Sequence, residues 1–91
     1  MSITNLNVGG YKYITASGNV SNHSAAIIGI FVSSATTGTL TIYDDAGVGT
    51  ATLAVATFTV APSTFYSLPI SLGNGINIVI GGTVSATVSF A

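Results

Sequence analysis

Apolar residues occupy every second position along much of this chain, which is the spacing of a β-strand with one buried face. From Val84 to Phe90 they alternate with serine and threonine, and three isoleucines recur at the same spacing from Ile76 to Ile80. β-Branched and aromatic residues dominate both runs, as is usual on a pleated, half-buried surface. The pattern therefore predicts strands rather than helices.

Eight such runs can be distinguished, each bounded by turn-forming residues. The predicted strands are Ile3–Val8, Tyr11–Ala16, Ala25–Ser33, Thr39–Tyr43, Ala51–Val60, Phe65–Ile70, Ile76–Ile80 and Thr83–Phe90. The predicted turns are Gly9-Gly10, Ser17-Gly18-Asn19, Thr37-Gly38, Asp45-Ala46-Gly47, Ala61-Pro62-Ser63, Gly73-Asn74-Gly75 and Gly81-Gly82. This spacing, without a helical segment or a linker, predicts one all-β domain over residues 1–91: a single antiparallel, jelly-roll-like β-sandwich.

Three segments depart from simple alternation. The run Ala25–Val32 is apolar on both faces, which predicts a central strand that is covered on both sides or faces a partner. Within Ala51–Val60 the apolar residues change from one face of the strand to the other, so we expect a bulge between Val55 and Phe58 or a strand that changes sheets. The small, polar stretch Ser33–Gly38 is predicted to be a loop. The predicted core consists of Ile14, Ile28, Ile30, Leu40, Ile42, Phe58, Leu68, Ile76, Ile78, Ile80, Val84, Val88 and Phe90.

The chain is almost without charge. Lys12, Asp44 and Asp45 are its only charged side chains apart from the ionisable His23, and glutamate, arginine, glutamine, cysteine and tryptophan are absent. Charged residues make up 3% of the sequence, where about 25% is usual. The net charge is −1, where a free monomer typically carries about 2–8 in magnitude. Such a surface suits close packing against other protein, so we expect self-association.

The composition also excludes several classes of function. The longest apolar run, Ala25–Val32, has eight residues, whereas a membrane-spanning helix needs about 20. One lysine and no arginine provide no electrostatic basis for binding nucleic acid. No basic segment precedes an apolar one near the N-terminus, so no signal peptide is expected. Without cysteine there are neither disulfides nor thiolate metal sites.

The adjacent Asp44 and Asp45, in the stretch TLTIYDDAGVGTATL, are the first candidates for chemistry. Neighbouring residues on an extended chain point to opposite faces, so the carboxylates converge only if a turn bends them together. A calcium ion needs about six to eight oxygen ligands, of which this loop could supply some from its carbonyl groups. The alternative is a hairpin tip whose carboxylates accept hydrogen bonds from nearby N–H groups, with a positive φ at Gly47 or Gly49. We predict the hairpin tip and no metal site; contact with a charged partner is a third interpretation.

His23 is the second candidate, because it could join an aspartate and one of the 11 serines in a nucleophilic triad. No nucleophile-elbow pattern surrounds any serine. We therefore predict that His23 is a polar loop residue and that the protein is not an enzyme. No catalytic or cofactor-binding residue is predicted.

Two residue types repeat in ways that suggest binding surfaces. The threonine pairs are Thr39/Thr41, Thr50/Thr52 and Thr57/Thr59, and the tyrosines are Tyr11, Tyr13, Tyr43 and Tyr66. Threonine ladders occur on ice-binding surfaces, but these pairs share no fixed repeat length, and threonine is common on the solvent face of strands. The tyrosines could form a platform on which sugar rings stack.

Several features of the second half of the chain follow one another in a familiar order. A strand ending in LTIYD precedes a glycine- and threonine-rich turn, the stretch FTVAPSTFYSLPISLGNGINIVIGGT and the alternating strand VSATVSFA. The residues that define this order are Asp44, Phe65, Tyr66, Pro69, Asn74-Gly75 and Gly81-Gly82-Thr83. From Leu40 to Phe90 the chain resembles small all-β virion structural proteins of tailed bacteriophages, most of all capsid decoration (cement) proteins.

The resemblance implies a non-enzymatic protein that oligomerises on the capsid shell and stabilises it. Its partners would be the major capsid protein and neighbouring copies of itself, as a homotrimer or homodimer, with no nucleic acid, membrane or cofactor. It would be made in the host bacterial cytoplasm and reside on the capsid surface of the virion. The alternatives are a tail, fibre or neck component of the virion and a small glycan-binding β-sandwich module.

Overall fold

A computed structural model describes residues 10–91. In this range the chain forms six strands and no helix, so it has no helical segment there that could cross a bilayer. The strands are β1 (Gly10–Ile14), β2 (Gly18–Ser21), β3 (Ala25–Tyr43), β4 (Leu53–Thr59), β5 (Thr64–Leu72) and β6 (Ile76–Phe90). The predicted strand Ile3–Val8 lies outside the described residues.

All six strands belong to one antiparallel sheet. The two longest strands, β3 and β6, lie side by side over almost their whole length. Along the other edge of β6, β1 and β2 pair in succession, and β5 and β4 do the same along the other edge of β3. The expected all-β, antiparallel fold is thus confirmed.

Two pairs of predicted strands each form one continuous strand, so five of the six observed strands correspond to seven of the eight that were predicted. The loop predicted at Ser33–Gly38 is wrong, because this stretch is part of β3. The turn predicted at Gly81-Gly82 is also wrong, because these residues are part of β6. These two segments lie opposite each other, since Thr36 pairs with Thr83 and Thr39 with Gly81. Between these pairs β3 has one residue more than β6, which makes a β-bulge rather than a chain reversal.

The short strand β2 is a further difference from the sequence prediction. Its residues Gly18 and Asn19 belong to a predicted turn, yet they pair with Ile78 and Asn77 of β6. The pairing partner lies almost 60 residues away along the chain, so the local turn signal does not reveal it.

Gly82 occupies the bulge between β3 and β6 with a φ of 69°, a conformation that costs other residues about 1–2 kcal/mol. A Cβ at this position would also overlap the carbonyl oxygen of Thr37. We therefore expect Gly82→Ala to lower the free energy of unfolding by about 2 kcal/mol. Gly18→Ala is the matched control, because a Cβ there meets open space. Urea unfolding measures both variants, and equal midpoints would contradict this bulge geometry.

The hydrophobic core lies on the face that β3 and β6 share. Its buried side chains are Ile14, Val20, Ala25, Ile27, Ile30, Val32, Leu40, Ile42, Val60, Leu72, Ile76, Ile78, Val84, Ala86 and Val88. Eight of the predicted core residues are among them, and the following four are half-buried against them: Phe58, Leu68, Ile80 and Phe90. The prediction for Ile28 is wrong, because this side chain is half-buried and lies outside the core. The register of β3 shifts between Ile27 and Gly29, so Ile27 rather than Ile28 shares the core face with Ile30.

A bulge in β4 explains why the apolar residues within Ala51–Val60 change their spacing. Leu40 of β3 pairs with Phe58, and Ile42 pairs with Val55, so β4 has one residue more than β3 between these pairs. As a result Val55 and Phe58 both pack against the core despite their three-residue spacing. Of the two expected alternatives, a bulge and a change of sheet, the bulge is the one observed, and the chain continues in the same sheet.

Candidate functional site

Asp44 directly follows β3, and its carboxylate binds the turn between β5 and β6. Oδ1 accepts hydrogen bonds from the backbone N–H of Asn74 at 2.8 Å and of Gly75 at 3.3 Å, and Oδ2 accepts one from Gly73 at 3.3 Å. Successive N–H groups that converge in a turn form a favourable site for a negative charge. Asp44 is therefore an acceptor for N–H groups, as predicted, but its donors are remote in sequence rather than in its own turn.

Asp45 binds its own loop. Its Oδ2 accepts hydrogen bonds from the backbone N–H of Gly47 at 2.8 Å and of Gly49 at 2.9 Å, which confirms the predicted turn. The expected positive φ at Gly47 or Gly49 is wrong, since the glycines with positive φ among residues 10–91 are Gly75 and Gly82. Glycine is favoured at position 49 for a steric reason instead, because a Cβ there would lie 2.8 Å from Oδ1 of Asp45.

The loop after β3 is attached to the sheet by two asparagines. Nδ2 of Asn19 donates to the carbonyl oxygen of Gly47 at 2.7 Å and to that of Asp45 at 3.3 Å. Nδ2 of the buried Asn77 donates to the carbonyl oxygen of Gly49 at 2.9 Å. Asn19 and Asn77 are paired across β2 and β6, so the loop covers one cross-strand pair. Their only signal in the sequence is that asparagine is depleted in strands.

Both carboxylates thus hold the chain's own loops in place. In the part of the chain that the structure describes, no three potential metal-binding side chains (histidine, cysteine, aspartate or glutamate) lie close enough together to share an ion. The arrangement of Asp44 and Asp45 is that of structural hydrogen-bond acceptors at one end of the sheet.

His23 lies in the exposed loop between β2 and β3. Its Nδ1 is 3.1 Å from the carbonyl oxygen of Ser24, and the hydroxyl of Ser21 donates to the carbonyl oxygen of His23 at 2.9 Å. Among residues 10–91 the hydrogen bonds of Asp44 and Asp45 go to other parts of the chain. The structure does not bring His23 together with an aspartate through hydrogen bonds in this range.

Two of the three threonine pairs meet on β3 and β4. Thr39 pairs with Thr59, and the Oγ1 atoms of Thr41 and Thr57 are 2.6 Å apart. Thr41 is buried, and its hydroxyl is used within the protein. These four residues therefore do not present an open array of hydroxyl groups.

The four tyrosines lie in three different environments. Tyr66 packs edge-to-face on Phe58, with ring centroids 5.6 Å apart and an interplanar angle of 62°, and its hydroxyl accepts a hydrogen bond from the β4–β5 turn at 2.9 Å. Tyr43 is half-buried at the end of β3. Tyr11 and Tyr13 are open to solvent on β1, with 74% and 56% of each residue exposed. The four tyrosines therefore do not share one platform, but Tyr11 and Tyr13 are available on one strand.

Tyr13 belongs to a row of side chains that crosses four strands. In order, the row contains Tyr13 of β1, Thr87 of β6, Phe31 of β3 and Phe65 of β5. Residues paired across antiparallel strands lie on the same face of the sheet. Since the adjacent Ile30 points into the core, this row is on the outer face. Phe31 and Phe65 are 44% and 54% exposed there.

The neighbouring row on the same face contains mostly small residues. It consists of Tyr11, Ser89, Gly29 and Ser67. The ring of Phe65 lies over Gly29, where a Cβ would overlap it. We use the name aromatic face for the outward side chains of Tyr11, Tyr13, Phe31 and Phe65 together with the small residues Gly29, Ser67, Thr87 and Ser89.

The aromatic face contains no charged side chain. Lys12, between the two exposed tyrosines, pairs with Val88 on the opposite face, and its Nζ donates to the carbonyl oxygen of Asn19 at 2.9 Å. Residues 10–91 enclose no pocket. The aromatic face therefore suits contact with a broad apolar surface or stacking against flat rings.

Comparison with known proteins finds none that is similar to this chain. No protein-family model matches the chain, and neither a search of curated proteins nor a search of solved structures finds a similar one.

Proposed function

We propose that this chain is a non-enzymatic structural protein of a bacteriophage virion, a capsid decoration or cement protein that oligomerises on the capsid shell and stabilises it. The observation that carries the proposal is where the few charges lie. Both carboxylates are bound to the backbone of the protein's own loops, while four large aromatic residues are open on one face. Such a surface favours permanent contact with other protein over a free monomeric existence.

The proposed partners are the major capsid protein and further copies of this chain, in a homodimer or homotrimer on the capsid surface. A shell protein of this kind stabilises the assembled state because it binds that state and not its dissociated parts. A repeating lattice also raises avidity without strong individual contacts. Synthesis in the host bacterial cytoplasm is compatible with a chain that has no cysteine.

The proposal extends to the fold, as a sandwich in which the two ends of the long sheet cover each other. The least dimension of the Cα trace, 17 Å, leaves room for two sheet layers at their usual separation of about 10 Å. Core residues from both ends of β3, such as Ile30 and Leu40, belong to one hydrophobic cluster. A jelly-roll order of strands is a prediction that an experimental structure would test.

Quantitative mass spectrometry of purified virions of the phage that encodes this chain tests the proposal. We expect a copy number comparable to that of the major capsid protein. A few copies per virion would instead indicate a tail, fibre or neck component. Absence from virions would overturn both forms of the proposal.

A second candidate function is a small glycan-binding module. It is favoured by the exposed Tyr11 and Tyr13 beside the hydroxyl groups of Thr87 and Ser89 on one face, because aromatic faces with nearby hydrogen-bonding groups suit sugar rings. A glycan array separates the two functions. Reproducible hits that Tyr13→Thr abolishes would support the glycan-binding module, and a blank array together with binding to empty capsids would support decoration.

A further inference from the structure

We propose that the aromatic face is a self-association surface, on which a second copy of the chain packs its own aromatic face. The inference rests on the proposed function in one respect, that the chain works within an assembly. It goes further by naming the surface and the partner that covers it.

The aromatic face exposes a large apolar area. At about 200 Å² for a whole aromatic side chain, the exposed fractions of Tyr11, Tyr13, Phe31 and Phe65 amount to roughly 450 Å². A stable interface of standard size buries about 800 Å² on each partner. The four rings alone therefore provide more than half of this area, and the small residues between them lie within the same contact.

The chemistry of the aromatic face also favours a copy of itself over other partners. Because the aromatic face has no charged side chain, two copies meet without like-charge repulsion and without burying an unpaired charge. A two-fold contact requires one patch to be complementary to itself. A row rich in rings beside a row rich in serine provides this, because the rings of one copy can lie over Ser67 and Ser89 of the other, while Gly29 is already covered by Phe65 of its own chain.

The central strand β3 is apolar on both of its faces between Ala25 and Val32. Ile27 and Ile30 of β3 are buried in the core, while Phe31 is directed to the opposite face. The ring of the neighbouring Phe65 lies over Gly29 on that face, so both rings add apolar area to it. Two such faces can pack at the usual sheet separation of about 10 Å. In such a dimer both faces of β3 are covered, one by the core and the other by the second copy.

Sedimentation velocity over a range of concentrations tests the inference with the double variant Tyr13→Thr/Phe31→Thr. Both changes replace an exposed ring by a residue that strands accept, and circular dichroism checks that each variant is folded. We expect the wild-type chain to associate and the double variant to weaken association about a hundredfold, a tenfold loss for each ring. Leu53→Thr is the matched control, because Leu53 on β4 is 55% exposed but lies outside the aromatic face, and we expect it to associate like the wild type.

A second measurement uses the absence of cysteine from the sequence. Thr87→Cys places the only thiol at the centre of the aromatic face, and Thr59→Cys places it on β4. A short bifunctional thiol reagent should join two chains of the Thr87→Cys variant and not of the Thr59→Cys variant.

Four outcomes would overturn the inference. They are a wild-type chain that stays monomeric, a double variant that associates as tightly as the wild type, a Leu53→Thr variant that dissociates instead, and equal cross-linking of both cysteine variants. A monomer whose glycan or capsid binding is lost in the double variant would assign the face to that ligand. None of these results changes the copy number in virions, so failure of this inference can be distinguished from failure of the proposed function.

Discussion

Ile30→Ala is expected to lower the free energy of unfolding by about 3 kcal/mol, which is the largest effect that we predict for a single substitution. Ile30 is fully buried and pairs with Val88 of β6 on one side and Tyr66 of β5 on the other. Removing most of its side chain loses apolar burial and leaves a cavity where three strands meet. For a domain of this size, a loss of about 3 kcal/mol lowers the melting temperature by roughly 12–24 °C.

Ile28→Ala is the matched control, two positions earlier on the same strand. Ile28 is half-buried and lies outside the core, so we expect a loss of no more than about 1 kcal/mol. Thermal and urea unfolding at two protein concentrations measure the difference and reveal any contribution from self-association. If the two substitutions cost the same, the bulge that directs Ile28 away from the core is misplaced.

Asp44→Ala is expected to lower the free energy of unfolding by about 2 kcal/mol, an effect large for a partly exposed polar residue. The substitution removes the acceptor for the N–H groups of Gly73, Asn74 and Gly75. It also releases the turn that leads into β6, the strand with the most extensive pairing along β3. Hydrogen exchange provides a local readout, because the amide of Asn74 should exchange markedly faster in the variant.

Two further substitutions place Asp44→Ala in context. Asp44→Asn keeps an acceptor oxygen without the charge, so it should lose less stability than Asp44→Ala. Asp45→Ala removes hydrogen bonds only within its own loop and should cost about 1 kcal/mol. An Asp44→Ala variant no less stable than Asp45→Ala would show that the link between the two loops contributes little.

Much of this fold can be predicted from alternation along the chain. Side chains of a strand point to opposite faces in turn, so the spacing from Val84 to Phe90 indicates a buried face whatever that strand pairs with. The same reasoning places an irregularity between Val55 and Phe58, because the apolar residues change from one face of the strand to the other there, but it does not decide between a bulge and a change of sheet. The turns at Ala61-Pro62-Ser63 and Gly73-Asn74-Gly75 are likewise set by their own residues.

The continuity of β3 and β6 could not be predicted in this way. Thr37-Gly38 and Gly81-Gly82 each carry the local signal of a turn. In the folded protein the two segments lie opposite each other in the pairing of β3 with β6, where they form one bulge instead of two turns. This register depends on hydrogen bonds between segments about 45 residues apart. Local propensity does not contain this information, because it depends on neighbours along the chain and not across the sheet.

The candidate site, like the fold, can be predicted from the sequence only in part. The sequence marks Asp44 and Asp45 as hairpin acceptors, and the run Ala25–Val32 as a strand with two apolar faces, since both follow from local chemistry. It does not reveal that Asp44 binds a turn 30 residues away, nor that Tyr13, Phe31 and Phe65 form one row. Those groups meet because antiparallel pairing brings β1, β6, β3 and β5 side by side, and only the register of four separate strands sets which side chains share a face.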